Sequence, residues 1–168
     1  MQITVRHALR EELPRVNELR RQVNELHVEG RPDIFRPGFC EELRQHVVEL
    51  FDHPESSAVI VALVDGVVAG FASVQYVHRP QSPYNNPQDL YHVQEFGVDA
   101  AFRRRGVATA LVDFMRADAR ERGFARIDLD AWAFNEGALA FYRRAGFRPY
   151  RWYFEMNTEE ESPCAPSM

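Results

Sequence analysis

The stretch SAVIVALVDGVVAGFASVQYV, residues 57–77, constrains the fold more than any other part of the chain. Two β-rich runs flank Asp65-Gly66, and a two-residue Asp-Gly connection is the strongest short-range signal for a β-hairpin. An antiparallel pair of strands is therefore expected near the middle of the chain. The remaining elements must assemble around it.

Before the hairpin, Gln2–His7 reads as a short strand with Ile3 and Val5 alternating against polar neighbours. A helix follows, carrying Leu13, Val16, Leu19, Val23 and Leu26 at helical spacing, with Pro14 tolerated in its first turn. GRPDIFRPG, residues 30–38, is a loop. A second helix is expected from about Cys40 to His53, with Leu43, Val47 and Leu50 on one face. After the hairpin, HRPQSPYNNPQDL is an exposed loop and YHVQEFGV, residues 91–98, a strand. Residues 107–122 form an amphipathic helix with Val107, Leu111, Phe114 and Met115 inward, and Gly123 ends it. ARIDLDAW is a strand, NEGALAFYRRAG a helix and FRPYRWYFEM a final strand; from Asn157 a disordered tail is expected. The order β-α-α-β-β-β-α-β-α-β predicts an α/β (α+β mixed) fold, one domain over residues 1–156 with a mixed sheet flanked by helices.

Bulk properties narrow the function. A net charge of −5 provides no broad basic field, so nucleic-acid binding is not expected, although arginine is dense between Arg103 and Arg151. Cys40 and Cys164 form no metal-ligand spacing and fit a reducing compartment. The N-terminus lacks the apolar run of a signal peptide and no segment approaches transmembrane length. A cytoplasmic protein without membrane association is expected.

FRRRGVATALV, residues 102–112, puts three arginines and a glycine directly before a helix. The first amides of a helix lack intrahelical acceptors and point outward, with the positive end of the dipole behind them. Gly106 leaves room for an anion, and Arg103, Arg104 and Arg105 offer bidentate donors. A solvated basic turn explains this stretch equally well by itself. It is neither a Gly-x-Gly-x-x-Gly nor a Walker loop, which counts against dinucleotide and nucleoside triphosphate enzymes.

Together, VDAAFRRRGVATALV and NEGALAFYRRAGF resemble the two signatures of the GCN5-related N-acetyltransferase (GNAT) superfamily. The first maps onto Val98, Arg103, Gly106 and Ala108, the second onto Asn135, Ala138, Phe141, Tyr142, Gly146 and Phe147. Ala100 departs from a proline frequent in the family. The resemblance spans nearly the whole chain apart from the tail. It implies a mostly antiparallel central sheet, an acyl-CoA donor (acetyl-CoA) and no metal. It places the donor's pyrophosphate on the amides of Arg104, Arg105, Gly106, Val107, Ala108 and Thr109. The pantetheine arm would run along the backbone of Phe96 to Val98, in a gap where the sheet splays. Asn135 either contacts that arm or locks the loop, and a plain N-cap is an equally good local account. A homodimer is open to the chain, since dimers are common in the family.

The implied activity is acetyl transfer to a primary amine of a small molecule or peptide. By resemblance, Tyr142, seven residues after Asn135, protonates the departing sulfur and Val98 N–H serves the oxyanion. For the base, Glu95 leads, with His92 or ordered water as alternatives; by resemblance Gln94, its neighbour, stands where some relatives carry the catalytic Glu, and His92 shares the parity of Gln94. Asp33, Phe35, Tyr76, Tyr84, Asp128 and Asp130 could line an acceptor pocket, although a wet strand face is the simpler account of the last two. Two other functions remain open: acetylation of protein N-termini, and a catalytically silent acyl-CoA sensor.

Overall fold

The Asp-Gly turn closes as its sequence demands. Asp65 and Gly66 take φ of 48° and 85°, the two left-handed residues of a type I′ turn. They join β2 (Ser57–Val64) to β3 (Val67–Arg79). The computed structural model describes residues 1–158, and the expected tail lies outside them from residue 159 on. With β1 (Ile3–His7), β4 (Gln88–Val98) and β5 (Ile127–Leu129), the hairpin builds one sheet in the order β1-β2-β3-β4-β5. Every pairing is antiparallel except β4 with β5, which is parallel. Asp65 also ties β1 to the turn: its N–H donates to Gln2 O and its Oδ1 accepts from Gln2 N–H.

Four helices cover the sheet: α1 (Leu13–Gly30), α2 (Glu41–Asp52), α3 (Val107–Glu121) and α4 (Glu136–Arg144). Val16 and Leu19 of α1 and Val47 and Leu50 of α2 pack with Val59, Val61 and Phe71 on one face. On the other, Val107, Leu111 and Met115 of α3 meet Ile60, Ala72, Val74 and Tyr91, with Phe141 of α4 at the margin. Cover on both faces explains why SAVIVALV is continuously apolar rather than alternating. Two strand glycines set how close the helices come. A Cβ on Gly97 would lie 2.8 Å from Val23 Cγ2 of α1, and one on Gly70 would lie 3.0 Å from Val107 Cγ1 of α3.

Two expected strands change. The strand expected over ARIDLDAW is ordered only from Ile127 to Leu129, because Trp132 leaves the pleat to pack against Phe35 and Phe134. The final strand FRPYRWYFEM does not form: residues 147–158 carry no strand pairing. Pro149 lacks an amide to donate, and the nearby free edge, β5, is three residues long. Both helices before the hairpin, and both after it, form where expected.

A buried ionic cluster pins α3 to the sheet. Asp118 is 8% exposed. Its carboxylate accepts from Tyr91 OH at 2.8 Å and Arg122 Nε at 3.0 Å, and it meets His7 Nε2 at 3.3 Å. Burial pushes its pKa up, but the bonds from His7, Tyr91 and Arg122 outweigh that and bring it down to about 2. A depressed carboxylate stabilises above its ordinary 3.8 and loses that contribution as pH falls through about 2. Asp118→Asn should therefore cost about 1.5–3 kcal/mol at neutral pH. It should also reduce the loss of stability between pH 4 and 2, which urea unfolding across that range will register.

Candidate active site

The site begins where β4 loses a neighbour. β5 pairs only with Tyr91, His92 and Val93, so β4 runs on to Val98 with one backbone edge unpaired. A bulge falls at the same place: Ser73 pairs with Glu95 and Val74 with Val93, leaving Gln94 as the extra residue. Gln94 Oε1 is buried and has no partner among the described residues. The bulge also corrects the strand parity. His92 opposite Gln75 and Glu95 opposite Ser73 share the α1 face, whereas the sequence alternation pairs His92 with Gln94. One inserted residue reverses the alternation downstream of it.

On that face, Glu95 is held firmly. Arg20 of α1, 2% exposed, donates to it from Nε at 2.7 Å and from Nη2 at 3.1 Å, and Ser73 Oγ donates at 3.3 Å. Both carboxylate oxygens are thereby engaged. His92 Nδ1 lies 2.8 Å from Asp128 Oδ1, and Asp128 Oδ2 accepts from Tyr150 OH at 2.9 Å. Asp128 is thus a bonded, largely covered residue rather than part of a wet face.

The turn between β4 and α3 carries the FRRRG stretch. Asp99 anchors it: its N–H donates to Ala69 O, its Oδ1 accepts from Ala101 N–H, and its Oδ2 pairs with Arg15. Arg104 and Gly106 both have positive φ, 62° and 85°, an arrangement that turns successive amides toward one point. Only Ala110 N–H finds the first helical acceptor, Gly106 O at 3.0 Å. The amides of Val107, Ala108 and Thr109 precede that bond. A Cβ on Gly106 would meet only Ile3 Cδ1 at 3.8 Å, so the left-handed φ, not crowding, selects glycine. The arginines are less uniform than the sequence suggests. Arg103 turns back so that Nε donates to Val98 O at 3.3 Å, and Arg105 lies over the Phe102 ring.

α4 brings the second motif to the open edge of β4. Asn135 caps the helix, its Oδ1 accepting from Ala138 N–H at 3.1 Å. Phe96 lies 5.9 Å from the Phe141 ring and 6.0 Å from the Tyr142 ring. Burial, and then the Asp130 carboxylate, push the Tyr142 phenol up to about 12, so it keeps its proton at neutral pH.

Sequence reading missed His27, in the last turn of α1. Burial lowers its pKa, against the opposing pull of Glu95 and Asp130. The ring stacks on Phe35 at 5.0 Å and meets Phe134 edge-on at 6.3 Å, and Trp132 contacts both of those rings. A helical histidine has no local signature; only the third dimension sets it near Glu95 and Asp130. Of the expected acceptor residues, Phe35 belongs to this aromatic group, Asp33 is paired with Arg31 beside it, and Asp130 is exposed. Tyr76 does not belong: it lies under Arg122 and beside Phe124 on the α3 face. Tyr84 stands in solvent, 93% exposed. Among the described residues, no group of three or more His, Cys, Asp or Glu side chains is set to hold a metal ion, and no helix is long and apolar enough to cross a membrane.

Comparison with known proteins agrees with this arrangement. The model of the acetyltransferase (GNAT) family matches residues 20–147. An uncharacterized N-acetyltransferase of Methanocaldococcus jannaschii is 37% identical over 60 residues, 36% of this chain and 26% of that protein. One from Bacillus subtilis is 34% identical over 62 residues, 37% of this chain and 40% of that protein. The chain thus matches well under half the length of these relatives. Among solved structures, a protein of Bacillus halodurans superimposes with a TM-score of 0.85 at 25% identity, covering 92% of this chain and 99% of that one. An aminoglycoside N-acetyltransferase in complex with CoA shares the fold, with a TM-score of 0.72 at 20% identity over 94% of this chain and 95% of that one. The matched region contains the β4 edge, the start of α3 and Tyr142, and the chain belongs to the GNAT acetyltransferase family.

Proposed function

We propose that the chain transfers an acetyl group from acetyl-CoA to a primary amine by direct attack in a ternary complex. The observation that carries this reading is the unpaired β4 edge from Gln94 to Val98, which leads to the first amides of α3 and runs beside the Tyr142 phenol. A pantetheine arm is an extended chain of amides, and such an edge offers it strand-like partners. The buried, unpartnered Gln94 Oε1 suits an N–H donor. The pyrophosphate would meet the amides from Arg104 to Thr109, with the guanidinium groups of Arg104 and Arg105 assisting and Arg103 bracing the strand end. With its Oδ1 bonded to Ala138, Asn135 retains its Nδ2 for the pantetheine.

Acetyl-CoA supplies an activated thioester carbonyl. The amine nitrogen forms the new C–N bond as the C–S bond breaks, and Val98 N–H donates to the oxyanion. Tyr142 gives its proton to the departing sulfur. The incoming ammonium passes one proton through water to the His27 and Glu95 side before attack, and the attacking nitrogen gives up its second proton to water as the C–N bond forms. Since Arg20 engages both oxygens of Glu95, neutral His27 takes the proton and Glu95 supplies the negative field. Solvent then takes the proton from His27 and returns one to Tyr142. The aromatic rings of His27, Phe35 and Trp132, with Asp130 nearby, suit a cationic small-molecule amine. Aminoglycosides, acceptors suggested by the names of the structural relatives, head the panel to be tried.

Acetyl-CoA should raise the melting temperature. Gly106→Val, which a φ of 85° disfavours, should weaken that ligand by about tenfold or more, and Arg104→Ala by only a few-fold. Calorimetric titration decides, and the reverse ranking would count against the cradle. Tyr142→Phe should lower thiol release by about 100-fold or more; unchanged turnover would remove Tyr142 from the mechanism. Because its phenol sits at about 12, the rate should climb with pH through the lowered His27 value and show no alkaline fall below about pH 10. A fall near pH 8 would contradict it.

A further inference from the structure

Helix α1 ends on Gly30, although glycine is the poorest helix former apart from proline. Backbone conformation does not ask for it. The glycines with positive φ are Gly38, Gly66, Gly106, Gly123 and Gly146, and Gly30 is not one of them. Space does ask for it. A Cβ on Gly30 would strike the Phe134 ring, 2.5 Å from its Cδ2 and closer still to Cε2 and Cζ, whereas carbons not bonded to each other settle at about 3.5–4.0 Å. The Phe134 ring therefore rests directly on the α1 backbone, where a side chain would otherwise stand.

That ring cannot step aside alone. Phe134 meets His27 edge-on at 6.3 Å and stacks on Trp132 at 6.3 Å. His27 stacks on Phe35 at 5.0 Å, and Phe35 meets Trp132 edge-on at 5.2 Å. The four rings close a circuit, with each pair in the range of about 4.5–7 Å at which aromatic pairs attract. The backbone that carries Phe134 is held as well. Asn135 N–H donates to Trp132 O and Glu136 N–H to Phe134 O, both at 3.0 Å, in the turn that starts α4.

We propose that Gly30 is a positioning residue for the acetyl transfer: its bare Cα lets Phe134 dock on the end of α1, and that contact sets His27 and the aromatic wall that receives the amine. The inference rests on the reading of His27 as the proton acceptor given above. A methyl group at residue 30 has to drive the ring off by about 1 Å or more. The displacement passes to His27, one turn back along α1, and to Trp132, over whose ring the Arg31 guanidinium lies at 5.8 Å. Misplacing a reacting group by about 1 Å costs roughly 100-fold in rate. The amides from Arg104 to Thr109, which would hold the donor, belong to a different turn, so the loss falls on the amine and not on acetyl-CoA.

Gly30→Ala, Phe134→Ala and the double variant test this in the full chain. Gly30→Ala should shift the NMR resonances of the His27 ring, assigned by their loss in His27→Gln, and lower kcat/KM for the amine roughly 100-fold. The Kd of acetyl-CoA should stay within about twofold. In the Phe134→Ala chain, adding Gly30→Ala should leave the His27 resonances and kcat/KM within about twofold of where Phe134→Ala alone puts them, because the ring the methyl would strike is gone. Unmoved His27 resonances or unchanged amine kinetics in Gly30→Ala would overturn the proposal. So would an equal effect in the Phe134→Ala background, or an equal loss of acetyl-CoA affinity. If the wild type acetylates no amine, the proposed activity fails by itself, and the His27 resonances still decide whether Gly30 sets that ring.

Discussion

The site depends on one backbone event: β5 accompanies β4 for three residues and then leaves it. Parallel strands share a ladder only while both chains run on, and Trp132 draws the β5 chain toward Phe35 and Phe134. The β4 backbone from Gln94 to Val98 is left with donors and acceptors on one edge. Unpaired backbone in a sheet is costly unless something covers it. Here the open slot lies beside Phe96, against which Phe141 and Tyr142 of α4 pack.

The elements around that slot are fixed by charge as well as by packing. Arg20, nearly inaccessible in α1, reaches through the helix–sheet layer to Glu95, which also accepts from Ser73, and bonds the Leu43 carbonyl in the first turn of α2. Breaking such a pair leaves a buried charge, so the arrangement resists adjustment by side-chain motion. Arg15 and Asp99 do the same for the turn that begins α3. The strand carrying Glu95, the turn before α3 and the first turn of α2 are therefore all tied to α1 by charge. Tyr142, by contrast, is held by ring contacts with Phe96, Phe141 and Phe147. Its phenol needs no fixed partner if it must yield a proton to an incoming group.

Much of this was legible in the sequence. The Asp-Gly hairpin, the two early helices and the Gly106 helix start follow from local chemistry, and the structure realises each of them. The bulge at Gln94 was not legible, because nothing in VQEFG marks where an extra residue will be absorbed. It decides the faces of His92 and Glu95. His27 was also hidden, since its lowered pKa arises from burial beside residues scattered from 35 to 134 in the chain. The segment YRWYFEM has a strand's alternation, yet among the described residues no strand pairs with it.

Amide hydrogen exchange with and without acetyl-CoA tests the central claim most directly. Protection should appear at the amides from Gln94 to Val98 and from Arg104 to Thr109. The cleft of about 460 Å³ lined by His46, His53 and Gln75, between α2 and the start of β2, should be unaffected. Protection confined to that cleft, or none at the β4 edge, would contradict the account.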